Sequence, residues 1–472
     1  MALSLHNVDA CSRRRTVHPQ RHTNCNTMLI RLHRIWPRGT SRRLSARPSF
    51  ELRSPTRVVS HRRLTALATI RWLVTAAAGA AIALIAWFPG HWLVALLALP
   101  AIWSLAKGRC SATAVWIGYY LTGARDIPIA SERFFSGHGE LSPSAAFELG
   151  ILLWLSQAVA LAAPWALAKP NNYQRGCAWR AAVATLLTCV PPLGIIGWLS
   201  PLNVASALFP GWKLVALLLG LSAIAIAASV PRNLQARLAA LPMVGSALLA
   251  HLSAQPHAPP GWVAVNSTFG KLDQSNYSAL FRRSQTAMLA AQAAFDKGNH
   301  VVILPEETVG LWRPAVRFWW RPFIANLVSR QQTVVFGADL PSDKANATAP
   351  TPNKYFRYTD SAIVLGAAHG RFDSRQPVPG GLWRPGARIS ARLGTLEQQY
   401  TRVGEKRVGF SICCEDYLLW PHWRLYVRRP DVLISIVNDW FAPDLALAQI
   451  QRQSIESVAR LSGVPLLRAV NL

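Results

Sequence analysis

The sequence predicts a two-part chain: a multi-span α-helical membrane region followed by a layered α/β domain. Three observations carry this reading. Apolar runs recur between residues 64 and 255, several of them long enough to cross a hydrocarbon core of ~30 Å. Charged residues make up only 15% of the chain, below the roughly 25% usual in soluble domains, and the deficit lies in the first half. Beyond residue 256, short β-branched runs alternate with amphipathic stretches, as in sheets covered by helices. At 472 residues the chain also exceeds one ordinary domain.

Residues 1–63 hold fourteen arginines, no lysine and only two acids, Asp9 and Glu51. With so little apolar content no core can form, and the segment reads as a basic, disordered leader. An Arg- and Ser-rich, acid-poor composition also suits an organellar transit peptide, and a start at Met28 would remove part of it. The formal charge of +28 would suit a nucleic-acid partner, but its distribution points elsewhere. It sits in the leader and beside apolar segments, with no aromatic-interleaved basic stripe, so membrane lipids are the expected counter-charge and direct nucleic-acid binding is not expected. The seven cysteines (11, 25, 110, 177, 189, 413 and 414) show neither C-x-x-C nor metal-ligand spacing with histidine. Neither a disulfide framework nor a metal or organic cofactor is implied.

From residue 64 to 255 the apolar segments come in order. Ala66–Phe88 is interrupted only by Arg71, and His91–Ala106 follows a Pro-Gly turn. Ala112–Leu121 is shorter; Ala145–Ala168, Ala181–Leu199 and Leu214–Val230 complete six expected spans, with Leu238–Ala254 a marginal seventh containing Pro242. Lys107, Arg109, Lys169, Arg175 and Arg180 mark cytoplasmic loops. Six spans leave the second domain cytoplasmic, and a seventh places it on the opposite side.

Residues 256–472 form the expected α/β domain. Strands are predicted at Trp262–Asn266, Val301–Leu304, Gln332–Gly337, Ser361–Gly366, Val408–Ile412, Val432–Val437 and Val464–Val470, with helices over Ser278–Phe295 and Leu445–Arg460. Three strand ends carry chemistry. V-V-I-L-P-E-E over Val301–Glu307 delivers a carboxylate, V-G-F-S-I-C-C-E-D delivers Cys413 and Glu415, and I-S-I-V-N-D-W-F ends in Asp439 and Trp440. A thiol is a weak nucleophile at its free pKa, and a carboxylate beside it can take its proton and later activate water or an amine. Partial burial moves that carboxylate's pKa into a useful range. No histidine stands in a comparable position, which disfavours a Cys-His protease dyad. A buried cysteine can also be a mere small hydrophobe. Asp439 and Trp440 suit a pocket wall, and Glu307 a solvated or supporting acid. Trp312, Trp319 and Trp320 with Arg313, Arg317 and Arg321 fit either an interfacial lid or a core with a surface patch.

With these residues in view the sequence resembles the nitrilase, or carbon–nitrogen hydrolase, superfamily. The nearest branch is the membrane-bound apolipoprotein N-acyltransferases, and within it the TraB family of conjugal plasmid transfer. The matching stretches are V-I-L-P-E-E around Glu306, S-I-C-C-E-D around Cys413, V-N-D-W-F at 437–441 and Arg452 to Asn471. The resemblance implies an αββα sandwich with a Glu–Lys–Cys triad: Glu306 as general base, Cys413 as nucleophile, and a lysine stabilising the oxyanion. Glu415 matches a further acid of the branch. The lysine position falls on Ser374, in R-F-D-S-R-Q-P-V-P-G-G-L, with Arg375 one residue later as the candidate substitute. The implied function is thiol-dependent attack on an amide or ester through an acyl-Cys413 thioester, at a bacterial inner membrane, with conjugal-transfer proteins as partners and an acyl-bearing lipid or lipoprotein-like substrate. The rival is a scaffold of the conjugal transfer machinery that keeps the fold without the lysine.

Overall fold

Among the described residues, helices prevail up to residue 251 and strands dominate after it. The computed structural model describes residues 56–88, 92–170, 176–229, 234–252, 256–342, 356–397 and 400–472. The basic leader lies outside the described residues as far as residue 55; its last eight residues belong to the first helix.

The helices are α1 (Thr56–Trp87), α2 (Ala98–Leu105), α3 (Gly108–Gly123), α4 (Ile127–Gly137), α5 (Pro143–Ala168), α6 (Cys177–Cys189), α7 (Val204–Leu208), α8 (Lys213–Ser229) and α9 (Leu234–His251). Their count as spans differs from the six or seven expected. Among the described residues, Ala66–Trp87 and Pro143–Ala168 are long and apolar enough to cross a membrane, and the bent pair Pro201–Leu208 with Lys213–Ser229 could form a third. Local chemistry explains the shortfall. The run 181–199 loses its helix at Cys189, just before Pro191-Pro192, because proline cannot donate to the helical ladder and restricts the residue before it. The run 91–106 divides between a 3₁₀ turn at Leu93–Leu97 and α2. The marginal seventh segment lies largely within α9, with Pro242 inside it.

After residue 256 come β1 (Trp262–Ala264), α10 (Tyr277–Asp296), β2 (Val301–Ile303), α11 (Pro314–Ser329), β3 (Thr333–Pro341), β4 (Phe356–Gly366), β5 (Gly370–Asp373), β6 (Ile389–Ala391), β7 (Tyr400–Val403), β8 (Lys406–Ile412), α12 (Trp423–Val427), β9 (Val432–Asn438), α13 (Ala446–Ser462) and β10 (Leu466–Asn471). One sheet runs β1-β2-β3-β4-β5 with β6 beside β4, and the other runs β10-β9-β8-β7. The strands β1, β2 and β3 are mutually parallel, as are β8, β9 and β10. Such strands are buried on both faces, which is why Val301–Ile303 and Val432–Asn438 are buried throughout.

The inner faces meet in one apolar layer, with Ile303, Val335, Val364 and Phe372 against Phe410, Ile412, Ile434 and Ala469. Outside the first sheet lie α10 and α11, whose Ala287, Ala291, Val316 and Trp320 pack on Val302, Val334 and Phe336. Outside the second lies α13, whose Ile455, Val458 and Leu461 share a core with Trp87, Leu96 and Phe209 of the helical region. The domain is thus an αββα sandwich, as expected, and its α13 layer doubles as the docking surface for the helices. Residues Val59–Leu472 form one compact unit.

Candidate active site

Cys413 follows the last residue of β8 with φ of +45°, a left-handed conformation that β-carbon-bearing residues rarely adopt, and opens the 3₁₀ turn Cys413–Tyr417. This turn lifts the thiol off the strand end. Gln451 Nε2 donates to the Cys413 carbonyl at 3.0 Å, and the Asn438 backbone N–H, at the end of β9, donates to the thiol. Burial pushes the Cys413 thiol well up from its ordinary value, and the charges of Glu306 and Asp439 push it further. The resting group is therefore a thiol, and its reaction needs a base.

Glu306 is the acid whose charge acts most on that thiol. The chain leaves β2 through Leu304-Pro305 and places the Glu306 side chain, only 2% exposed, beside Cys413 and Asp360. Burial is the main cause of its strongly raised pKa, followed by the nearby Asp360 and Glu307. The close approach of β3 fixes it there: a β-carbon on Gly337 would stand 2.4 Å from the Glu306 Cα. Glu307 has φ of +50°, so the two carboxylates leave the strand in different directions. Its Oε2 accepts from Asn438 Nδ2 at 2.6 Å, and Asn438 Oδ1 accepts from Asn471 Nδ2 at 2.7 Å. Sequence reasoning quoted Asn438 and Asn471 within matching stretches without giving them this role; their place at the ends of neighbouring strands was the available signal.

Arg375 and Glu415 come together as a buried ion pair. The ion pair is 2.7 Å long and almost wholly buried. Nε and Nη2 of Arg375 donate to Glu415, Nη2 also to the Phe410 carbonyl, and Nη1 to the Pro421 carbonyl. The Arg375 backbone N–H donates to Glu415 as well. Four of the five guanidinium donors are thus engaged, and the pair pins the segment after β5 to the turn that carries Cys413.

Ser374, where the resemblance would put a lysine, is buried and its Oγ has no hydrogen-bond partner. Its N–H donates to the Asp360 carbonyl at 2.8 Å, one step beyond the register pair Ser361–Asp373. On the other side, Asp339 of β3 stands directly opposite Asp360 of β4. A row Asp339–Asp360–Ser374 therefore crosses the sheet beside Glu306. Burial raises the Asp360 carboxyl to about 8 and Asp339 well above the usual range. Among the described residues none of Glu306, Asp339 and Asp360 has an ion-pair partner.

The helical region supplies a wall. Phe134 and His138, at the end of α4, pack against Trp440 with centroids 6.4 and 5.5 Å away. A cavity of about 330 Å³ opens beside this wall, lined by Phe134, His138, Glu307, Asp339 and Tyr358 among others, and it reaches the acids flanking Glu306 rather than Glu306 or Cys413 themselves. Trp440 is thus a wall residue, whereas Asp439 is held by Arg468 at 3.5 Å with its carboxyl raised by burial to about 7. The tryptophan cluster divides: Trp312 and Trp320 are core residues against Phe336, while Arg317, Phe318 and Arg321 are exposed.

No family model matches the chain. It is 29% identical over 390 residues to the probable conjugal transfer protein TraB of Sinorhizobium fredii, covering 79% of this chain and 91% of that one. It is 27% identical over 394 residues to the conjugal transfer protein TraB of Agrobacterium fabrum, covering 79% and 86%. The resemblance to the TraB family read from the sequence therefore extends over most of the chain. Solved structures similar to it include a variant of an amidase from Nesterenkonia, of the nitrilase superfamily, at 14% identity and TM-score 0.32 over 45% of this chain and 78% of that one. A carbon–nitrogen hydrolase from Helicobacter pylori is 12% identical with TM-score 0.33, over 44% and 72%.

Proposed function

We propose that residues 256–472 form a nitrilase-like domain carried by the membrane helices of residues 64–255, and that it cleaves amide or ester bonds through an acyl-Cys413 thioester. The observation that supports this most is the place of the buried Glu306 beside the Cys413 thiol, each following a strand of a different sheet. In its ionised form Glu306 takes the thiol proton as sulfur attacks the acyl carbon. It returns that proton to the leaving amine or alcohol, and then accepts one from the water or amine that attacks the thioester. The Asn438 backbone N–H beside the sulfur steadies the developing thiolate. Two relatives are named as conjugal transfer proteins, which supports a role in plasmid transfer at a bacterial inner membrane.

A cysteine-directed acyl-type probe tests the reading on detergent-solubilised protein. Labelling is expected in the parent and in Cys414→Ala, lost in Cys413→Ala and slowed in Glu306→Gln by about a hundredfold. A parent no faster than a free thiol would sink it. One observation favours the second reading, a membrane scaffold: among the described residues no lysine or arginine forms an ion pair with Glu306, the carboxyl proposed to act on Cys413.

A further inference from the structure

The cavity beside α4 is built on one face of the first sheet. Side chains alternate along a strand, so Val335, Gly337 and Asp339 of β3 share a face with Val364, Ala362, Asp360 and Tyr358 of β4. At Val335 and Val364 that face packs against the second sheet. Farther along it turns polar, and there Phe134 and His138 of the helical region, with no residue of the second sheet, line a space of about 330 Å³ with Asp339 and Tyr358. Asp339 is 4% exposed, and among the described residues its carboxylate accepts only from Gln274 Nε2, at 3.3 Å. Tyr358 is 8% exposed, and its hydroxyl has no hydrogen-bond partner among them. Buried polar groups are normally matched, and the other charges around this space are. Glu307 accepts from Asn438, and both Arg283, which donates to the Glu307 carbonyl at 3.1 Å, and His138 act on its charge. Arg384 pairs with Glu140 at 2.8 Å, Lys271 donates to the Gly137 carbonyl, and Asp273 accepts from Ser275. Four acids against Lys271 and Arg384 thus line a cavity in a chain of formal charge +28. The buried one, Asp339, pairs with no lysine, arginine or histidine among the described residues.

We infer that this cavity binds a small organic cation, an ammonium or guanidinium group on a short apolar stem, with Asp339 as its counter-ion and the Tyr358 oxygen as a further acceptor. A carboxylate and a phenol oxygen both accept from N–H donors, the carboxylate more strongly. Phe134, Phe356 and the Tyr358 ring offer aromatic faces to the charge and its stem. Among the described residues no three of His, Cys, Asp and Glu are placed to hold a metal ion, which favours a cation that fills the space over a bare metal. Burial, and then the charges of Glu307 and Asp360, raise the Asp339 carboxyl well above its usual range, and a cation bound against it favours the ionised form. Neither Glu306 nor Cys413 lines the cavity, so the cation is a recognition group and not the reacting one. For its use the inference rests on the proposed thiol chemistry: the substrate carries a positive charge beside Glu307, one residue along the chain from Glu306.

Titration calorimetry on the full-length, detergent-solubilised protein tests this with benzylamine and its near-isosteres benzyl alcohol and benzoate. Benzylamine is expected to bind at least about tenfold more tightly than either. Asp339→Asn keeps the side-chain shape and is expected to remove that preference, and Tyr358→Phe to weaken benzylamine about threefold. Ile389→Arg puts a cation at an exposed lining position and is expected to exclude benzylamine while sparing benzyl alcohol, which keeps the inference testable if Asp339→Asn does not fold. Equal binding of the three probes, or an Asp339→Asn protein that keeps the preference, overturns it. Displacement of benzylamine by magnesium or calcium, but not by sodium at matched ionic strength, also overturns it by assigning the place to a metal ion. Agmatine and a blocked arginine dipeptide, offered as competitors, separate a free small molecule from a peptide side chain; displacement by either supports the site, and by neither overturns it. Cys413→Ala is expected to bind benzylamine as the parent does. If the site behaves as stated while Cys413 labels no faster than a free thiol, the thiol chemistry fails and the cation site stands; a reactive Cys413 with equal binding of the probes means the reverse.

Discussion

Arg375 and Glu415 show how much of a residue's meaning depends on its surroundings. The sequence supplied a guanidinium beside the lysine position and an acid beside the nucleophile, and both read as candidates for the oxyanion and the acid of the branch. Folding brings them to each other. Breaking a buried ion pair by truncating one partner leaves an uncompensated charge and costs about 3–5 kcal/mol. Arg375→Met is therefore expected to lower the thermal midpoint sharply, and Arg375→Lys to recover little, since an ammonium cannot reproduce the forked contacts to Glu415, Phe410 and Pro421. The double variant Arg375→Met/Glu415→Leu should recover a large part of the loss. Thermal unfolding of the parent, Arg375→Met, Glu415→Leu and the double variant gives the cycle; a double variant as unstable as the sum of the singles would show that the pair is not coupled. Asp339 and Asp360 in the first sheet, and Asn438 and Asn471 in the second, meet through cross-strand register, which no local pattern encodes.

The strands that bear the chemistry were legible because they are buried on both faces. Val301–Leu304, Val408–Ile412 and Val432–Val437 read as continuous apolar runs, and all three fold as strands. The short edge and crossing strands β5, β6 and β7 were not foreseen, nor was α11, because partly exposed elements mix polar and apolar residues without a clear period. The helices before residue 256 were legible as apolar but not as spans, since Pro191-Pro192 ends one run early and a 3₁₀ turn at Leu93–Leu97 divides another that composition alone leaves whole. Gly337 is the element-level counterpart of Glu306: β3 passes so near that a methyl group must push the Glu306 backbone aside. Gly337→Ala is expected to slow Cys413 labelling more than tenfold while its thermal midpoint falls by only a few degrees, overpacking typically costing about 1–3 kcal/mol. Comparing labelling rate with melting on the same sample checks this, and an unchanged rate would mean that Glu306 is not held by that contact.

At the scale of the whole molecule, the sandwich is unusual in what it buries. Asp360 is raised from 3.8 to about 8, Asp439 to about 7 and Asp416 to about 6, each chiefly by burial, with Glu306 and Asp339 also raised. An acid whose folded pKa lies above its unfolded value contributes most to stability below the unfolded value, near pH 4, and loses that contribution as pH rises through the folded value. For Asp360 that window runs from about 4 to about 8. The folded chain therefore holds protons that the unfolded chain has released at neutral pH, and this group by itself makes folding less favourable across the window. Removing one such acid isolates the effect from the opposing contribution of ion pairs such as Arg375–Glu415, which the variant leaves in place. The Asp360→Asn protein is expected to gain on the parent as pH rises from 5 to 8, whatever their relative stabilities at the acidic end, with most of the gain complete by pH 8. Thermal midpoints of both proteins in one detergent, measured across that range, read the gap. A gap independent of pH would mean that Asp360 titrates alike in the folded and unfolded chains, and the carboxyl row across the first sheet would then lie in contact with water.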